Sequence, residues 1–124
     1  MIVISGTEVA SHLENELKAE VARLIAAGCP PTLGVIQVGD NPASSTYVAT
    51  KVKKAAKLGI ADREVRLPES ATQADVERAV DELNADPSVH GFLVQLPLPK
   101  GLDSRPVAMR IDPRKDVDGF TPHN

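Results

Sequence analysis

The spacing of the apolar residues changes period repeatedly along this chain, and that alternation limits the possible folds more than any other feature. Between Thr7 and Ala27, Val9, Leu13, Leu17, Val21, Leu24 and Ile25 recur at helical steps, which predicts an amphipathic helix stopped by Gly28 and the Pro30–Pro31 pair. Thr32 to Gly39 (TLGVIQVG) is short and β-rich, a strand of mostly buried character. A second helix is expected from about Ser44 to Leu58, closed by Gly59, and a short strand at Glu64–Leu67. Thr72 and Asp75 resemble a capping box that opens a helix whose core face is Val76, Ala79, Val80 and Leu83. Val89–Leu96 (VHGFLVQL) predicts a third strand. Five of the ten prolines follow it, so the remainder reads as loop with one short helix near Val107–Ile111. Helix and strand in strict alternation predict an α/β fold: a small three-layer domain, with a parallel sheet of about three to four strands and crossover helices. Ligands of such sheets sit beyond the carboxyl ends of the strands, so Asp40–Thr46 and the segment from Leu96 onward should meet over one cleft.

Composition narrows the function classes. With 124 residues the chain is one domain's worth, and its net charge of −3 speaks against a general nucleic-acid or anionic-membrane surface. Cys29 is the only cysteine, so no internal disulfide forms and a reducing, cytoplasmic compartment is expected. No apolar run exceeds four residues, which leaves no membrane-span signal. Gly34 and Gly39 have phosphate-loop spacing, but Asp40–Asn41 follows where lysine and serine or threonine are needed. A dinucleotide-type glycine fingerprint is also missing, so no cofactor-binding residue is expected. His12, His90, His123 and Cys29 show no metal-ligand spacing, and no metal site is expected.

Three polar positions remain. Tyr47 and Lys51 are four apart and share a helix face. At 100° per residue Lys51 lies about 40° from Tyr47, at the border of the apolar arc formed by Val48, Val52, Ala55, Ala49 and Ala56. Lys53 and Lys57 fall on the solvent side. A lysine at such a border is partly withdrawn from water, which suits an amine to acid–base work; the competing reading is an ordinary solvated lysine face. Gln95 stands between Val94 and Leu96 in an apolar run, and a buried amide there either closes a backbone bond or faces a site. The KDVDGF segment (Lys115–Phe120) reads from spacing alone as a surface Asx-type turn.

Three segments taken together are more specific: VGDNPASSTYVATKVKKAAKLGI (Val38–Ile60), VHGFLVQLPLPKGLD (Val89–Asp103) and IDPRKDVDGFTPHN (Ile111–Asn124). In this order they resemble the catalytic domain of the bifunctional methylenetetrahydrofolate dehydrogenase/methenyltetrahydrofolate cyclohydrolase family, and the resemblance spans residues 1–124. It implies that the catalytic residues are Lys51, the acid–base group, Gln95, which hydrogen-bonds and positions it, and Tyr47, which lies against the folate's aminobenzoate ring and helps fix the surroundings of Lys51. It further implies that Ser44, Val94 and Leu96 belong to the substrate site, and that Asp118 accepts hydrogen bonds from the pterin edge. The implied substrate is a tetrahydrofolate derivative, with neither nucleic acid nor membrane as partner. For the two-domain parent the resemblance implies NADP in preference to NAD, held by a second domain whose motifs do not occur here. The chain is therefore expected to bind no cofactor by itself, to lack hydride transfer, and to be monomeric where the two-domain parent is a homodimer. The alternative is a non-catalytic folate-binding or docking module that needs a separate nucleotide-binding domain. A polyproline-type interaction domain would require all three motif matches to be coincidence.

Overall fold

A computed structural model of the chain describes residues 1–124. Four helices and three strands alternate: α1 (Gly6–Ala26), β1 (Thr32–Val38), α2 (Pro42–Leu58), β2 (Ala61–Leu67), α3 (Gln73–Ala85), β3 (Gly91–Val94) and α4 (Ser104–Arg110). The strands form one parallel sheet in the order β2-β1-β3. β1 is central and buried over its last five residues. After α4 the chain returns beside β3 and makes one further parallel bridge, Phe92 to Asp116. This is the expected α/β architecture, with three strands and a single-residue fourth pairing.

Local chemistry explains where the elements start and stop. The Ser5 hydroxyl accepts the Glu8 N–H, the Asn41 carboxamide accepts from Ala43 and Ser44, and Asp103 accepts from Arg105. Thr72 and Asp75 form the full reciprocal capping box. Asn41, with Pro42 in the first turn, starts α2 two residues before the expected Ser44, since proline there sacrifices no helical bond. Asp103 likewise starts α4 at Ser104 rather than near Val107, with Pro106 tolerated in the first turn. β2 begins at Ala61, earlier than Glu64, because its charged residues sit exposed on an edge strand while its backbone follows β1 from Thr32 onward. β3 spans only Gly91–Val94, not Val89–Leu96. The Gln95 N–H still bonds the Ile36 carbonyl at 2.8 Å, and the donorless Pro97 and Pro99 then end the ladder.

Alternation along the strands sends side chains to two faces. Ile36, Val38, Phe92 and Val94 pack with Val76, Val80 and Leu83 of α3 and Val107 of α4. Val35 and Leu93 point the other way, onto Val48 of α2. α1 lies outside this sandwich and rests chiefly on α2. Val21 and Ile25 approach Gly59, and Glu14 pairs with Lys54 and Lys57 at 2.9 and 3.0 Å. So the predicted apolar stripe of α1 is only partly used. Val21 is buried and Leu24 half-buried, whereas Val9, Leu13, Leu17 and Ile25 remain 46–49% exposed. α2 packs on one face of the sheet and α3 with α4 on the other, so α1 packs outside α2 rather than on the central strands.

Candidate active site

At the carboxyl end of the sheet, α2 and the segment leaving β3 place Lys51 and Gln95 side by side. The Lys51 Nζ donates to Gln95 Oε1 at 3.0 Å, across 44 residues of sequence. Gln95 is held at two further points: its backbone N–H is on the Ile36 carbonyl, and its Nε2 donates to the Leu96 carbonyl at 2.9 Å. A carbonyl only accepts, so this last bond decides which end of the amide faces Lys51. Lys51 is half-buried and has no carboxylate partner among the ion pairs. Its neighbours differ. Lys54 and Lys57 are both engaged by Glu14, whose carboxyl their hydrogen bonds and charges hold at about 2. Lys53 and Lys57 are exposed, as expected of the solvent side, and α1 reaches across to Lys57 through Glu14.

The other expected site residues divide into three groups. Tyr47, one turn before Lys51, is 63% exposed, with its ring open to an incoming ligand. Ser44 is buried, and its hydroxyl finds no hydrogen-bond partner. Val94, Leu96 and Asp118 line a cavity of about 230 Å³ together with Leu93, Arg105, Val107, Asp116 and Phe120. Val94 and Leu96 flank Gln95 in the chain, which puts the cavity at the same strand end, although Lys51, Gln95 and Tyr47 are not among its lining residues. The loops expected to meet also do so: Asp40 and Asn41 face Pro97, Leu98 and Pro99 around a second, more polar hollow.

Between the two aspartates of the DVDG segment the structure makes a clear distinction. Asp116 is bound by its own loop: Oδ1 accepts from the Gly119 and Phe120 amides, and Oδ2 from the Thr121 amide at 2.8 Å and the Asn124 side chain. Burial would raise its pKa, but these donors outweigh burial and hold it at about 2. Asp118 has no such bonds; it is exposed and borders the cavity, its carboxylate open to two donors. Gly119, at φ +69°, turns the chain just after Asp118 in a conformation that favours glycine.

Residues that sequence reasoning passed over hold this loop in place. The Lys115 Nζ donates to the Leu83 and Asp86 carbonyls at 2.9 and 2.7 Å, capping α3, which has no basic residue in its own last turn. The Phe92 N–H donates to the Lys115 carbonyl. Gly91 admits the loop, since a Cβ there would lie 2.5 Å from Val117 Cγ1. The available signal was the lysine opening KDVDG, legible as a candidate cap only once the end of α3 lies beside it. Gln37 was also missed. It is a buried amide inside β1 whose Nε2 donates to Ser45 Oγ and the Gly39 carbonyl and whose Oε1 is unpaired, at a cost of about 1–3 kcal/mol. Its signal was the one already used for Gln95: a polar residue in an apolar strand.

Residues 4–118 match the family described as tetrahydrofolate dehydrogenase/cyclohydrolase, catalytic domain. The chain is 48% identical over 122 residues to the bifunctional protein FolD of Haloquadratum walsbyi, covering 98% of this chain and 39% of that protein. It is 50% identical over 123 residues to the FolD of Rhodopseudomonas palustris strain BisB5, covering 98% and 42%. The crystal structure of the Campylobacter jejuni bifunctional enzyme FolD, a methylenetetrahydrofolate dehydrogenase/cyclohydrolase, superposes with a TM-score of 0.91 at 41% identity, over 94% of this chain and 41% of that one. The Trypanosoma brucei FolD, complexed with NADP cofactor and inhibitor, also gives 0.91, at 40% identity over 99% and 42%. The chain therefore spans about two-fifths of the length of these relatives. Sequence match and backbone agreement extend over nearly the whole chain, and on that ground it belongs to the tetrahydrofolate dehydrogenase/cyclohydrolase family.

Proposed function

We propose that residues 1–124 form the folate-binding, acid–base domain of an enzyme that interconverts one-carbon folates. Its own reaction is the hydrolysis of 5,10-methenyltetrahydrofolate to 10-formyltetrahydrofolate. The observation that carries this reading is the Lys51–Gln95 contact at 3.0 Å, beside a cavity bordered by the free carboxylate of Asp118. Asp118 takes the amide and amino edge of the pterin, Val94 and Leu96 line the ligand, and the exposed ring of Tyr47 stacks on the aminobenzoate. The bridge carbon then lies by Lys51.

Gln95 Oε1 holds the amine through one N–H and leaves its nitrogen free to exchange a proton with the substrate. The oxygen of water bonds to the bridge carbon and its proton passes to Lys51. The carbon–N5 bond breaks, the amine returns a proton to N5, and the new hydroxyl loses its proton to solvent as the formyl group forms on N10.

The oxidation of 5,10-methylenetetrahydrofolate belongs, in this reading, to the longer protein with NADP rather than NAD. The residues here do not fit a dinucleotide. At the β1–α2 junction the Asn41 side chain already occupies the Ala43 and Ser44 amides, and Asp40 stands beside them where a phosphate would be repelled. No hydride step is assigned to this chain. No helix is long and apolar enough to cross a membrane, and we place the enzyme in the cytoplasm, dimeric as the longer protein and monomeric as this chain.

The test is the decay of methenyltetrahydrofolate absorbance with the chain, its Lys51→Met variant and a buffer blank. Decay above blank that disappears in the variant is expected. Decay equal to blank would make the chain a folate-binding half that needs a second domain, and binding of the same folate would then be measured by calorimetry.

A further inference from the structure

Gln37 follows Ile36 in β1, on the α2 side of the sheet with Val35. It is 2% exposed. Its Nε2 donates to Ser45 Oγ at 2.8 Å and to the Gly39 carbonyl at 3.2 Å. Because a carbonyl only accepts, the Gly39 bond settles the orientation of the amide and strands its Oε1 in the interior without a partner. A methionine or leucine would leave no stranded oxygen but would lose both of these hydrogen bonds. The Ser45 bond ties the first turn of α2 to the end of β1, and the Gly39 bond holds the loop between them.

The register makes this tie bear on the site. Val35 lies opposite Leu93 and Ile36 opposite Val94, so one step further Gln37 stands opposite Gln95, on the same face. The Ile36 carbonyl holds the Gln95 backbone. Adjacent residues of one strand thus hold both halves of the pair: Ile36 holds Gln95, and Gln37 holds the helix that carries Lys51. Lys51 lies six residues beyond Ser45, roughly 9 Å along a continuous helix, close enough for a shift at Ser45 to reach the amine.

We propose that Gln37 is a positioning residue for Lys51: by seating α2 on the end of β1 it sets the amine against Gln95 Oε1. The proposal rests on the reading of Lys51 and Gln95 as the working pair, and its test has a readout independent of activity. The full chain is labelled with ¹³C at the lysine ε-carbons, and Lys51 is assigned by its loss in Lys51→Arg. In the wild type the two Lys51 ε-protons should be inequivalent, and in Gln95→Leu they should merge. Gln37→Met and Ser45→Ala should merge them too, although Lys51 and Gln95 are both present, while the other lysine signals stay in place. For methenyltetrahydrofolate hydrolysis, kcat should fall about tenfold or more with KM within about twofold, because misplacement acts on the reacting geometry.

A Lys51 signal that keeps its wild-type form in both variants overturns the proposal, as does a wild-type signal already identical to that of Gln95→Leu. If Gln37→Met does not fold, Ser45→Ala decides alone, since it removes the same tie without altering the strand. Absent hydrolysis with the expected Lys51 signals would count against the enzymatic reading and leave the role of Gln37 standing.

Discussion

On one face of the sheet, Ile36, Val38, Phe92 and Val94 join α3 and α4 in a cluster of 11 buried apolar residues. On the other, Val35 and Leu93 meet Val48 in a cluster of three, and the strand positions that follow them are Gln37 and Gln95. The sheet is the same and so is the alternation, but the α3 face is apolar to its end, whereas the α2 face turns polar where the strands finish. Stability gathered on one side leaves the other free to hold buried amides and an amine, which a uniformly apolar sandwich would exclude. Substitutions on the two faces should therefore fail differently.

The largest effect is expected on the α2 face. Lys51→Met should lower hydrolysis by about 10²–10⁴-fold while the urea midpoint hardly moves, because general acid–base help of that size disappears with the amine. A variant that unfolded in parallel would break the comparison. Next is Phe92→Ala on the α3 face. Phe92 is fully buried, and its removal should cost about 3–5 kcal/mol of unfolding free energy in urea titrations. A much smaller cost would mean that the two faces share the stability.

The DVDG loop sharpens the same contrast within one short segment. Asp118→Asn should weaken folate binding about tenfold or more, as expected for the loss of a charged acceptor, at unchanged melting temperature. Asp116→Asn should lower the melting temperature instead, since its carboxylate closes the loop on Thr121 and Asn124.

The smallest effect concerns pH and the outlying helix. Glu14 is held at about 2, below its ordinary 4.5, by Lys54 and Lys57. A depressed carboxyl pKa stabilises the fold above the unfolded value, and that stabilisation is lost as pH falls from about 4.5 to about 2. Protection of the α1 amides from hydrogen exchange, taken relative to the intrinsic rate at each pH, should therefore fall over that window, and Glu14→Gln should bring the lower protection to neutral pH. If α1 exchange were unaffected by both, the apolar contacts at Val21 and Gly59 would be its sole anchor.

Much of this was legible in the sequence because it is local. The order of elements follows from period switching, and the capping box at Thr72 and the stop at Gly59 follow from single residue types whose conformational preferences do not depend on distant contacts. Lys51 at the border of its helix and Gln95 within its strand were visible for the same reason: each departs from a pattern its neighbours set. The stripe of α1 shows the limit of such reasoning. Periodicity reveals that a helix has an apolar side, not whether any surface remains for it to cover. The pairing of Lys51 with Gln95, the difference between Asp116 and Asp118, the Lys115 cap on α3 and the tie from Gln37 to Ser45 all required the fold. Each is a hydrogen bond or a vacancy decided by which atoms lie within about 3 Å through space, and no spacing along the chain encodes that distance.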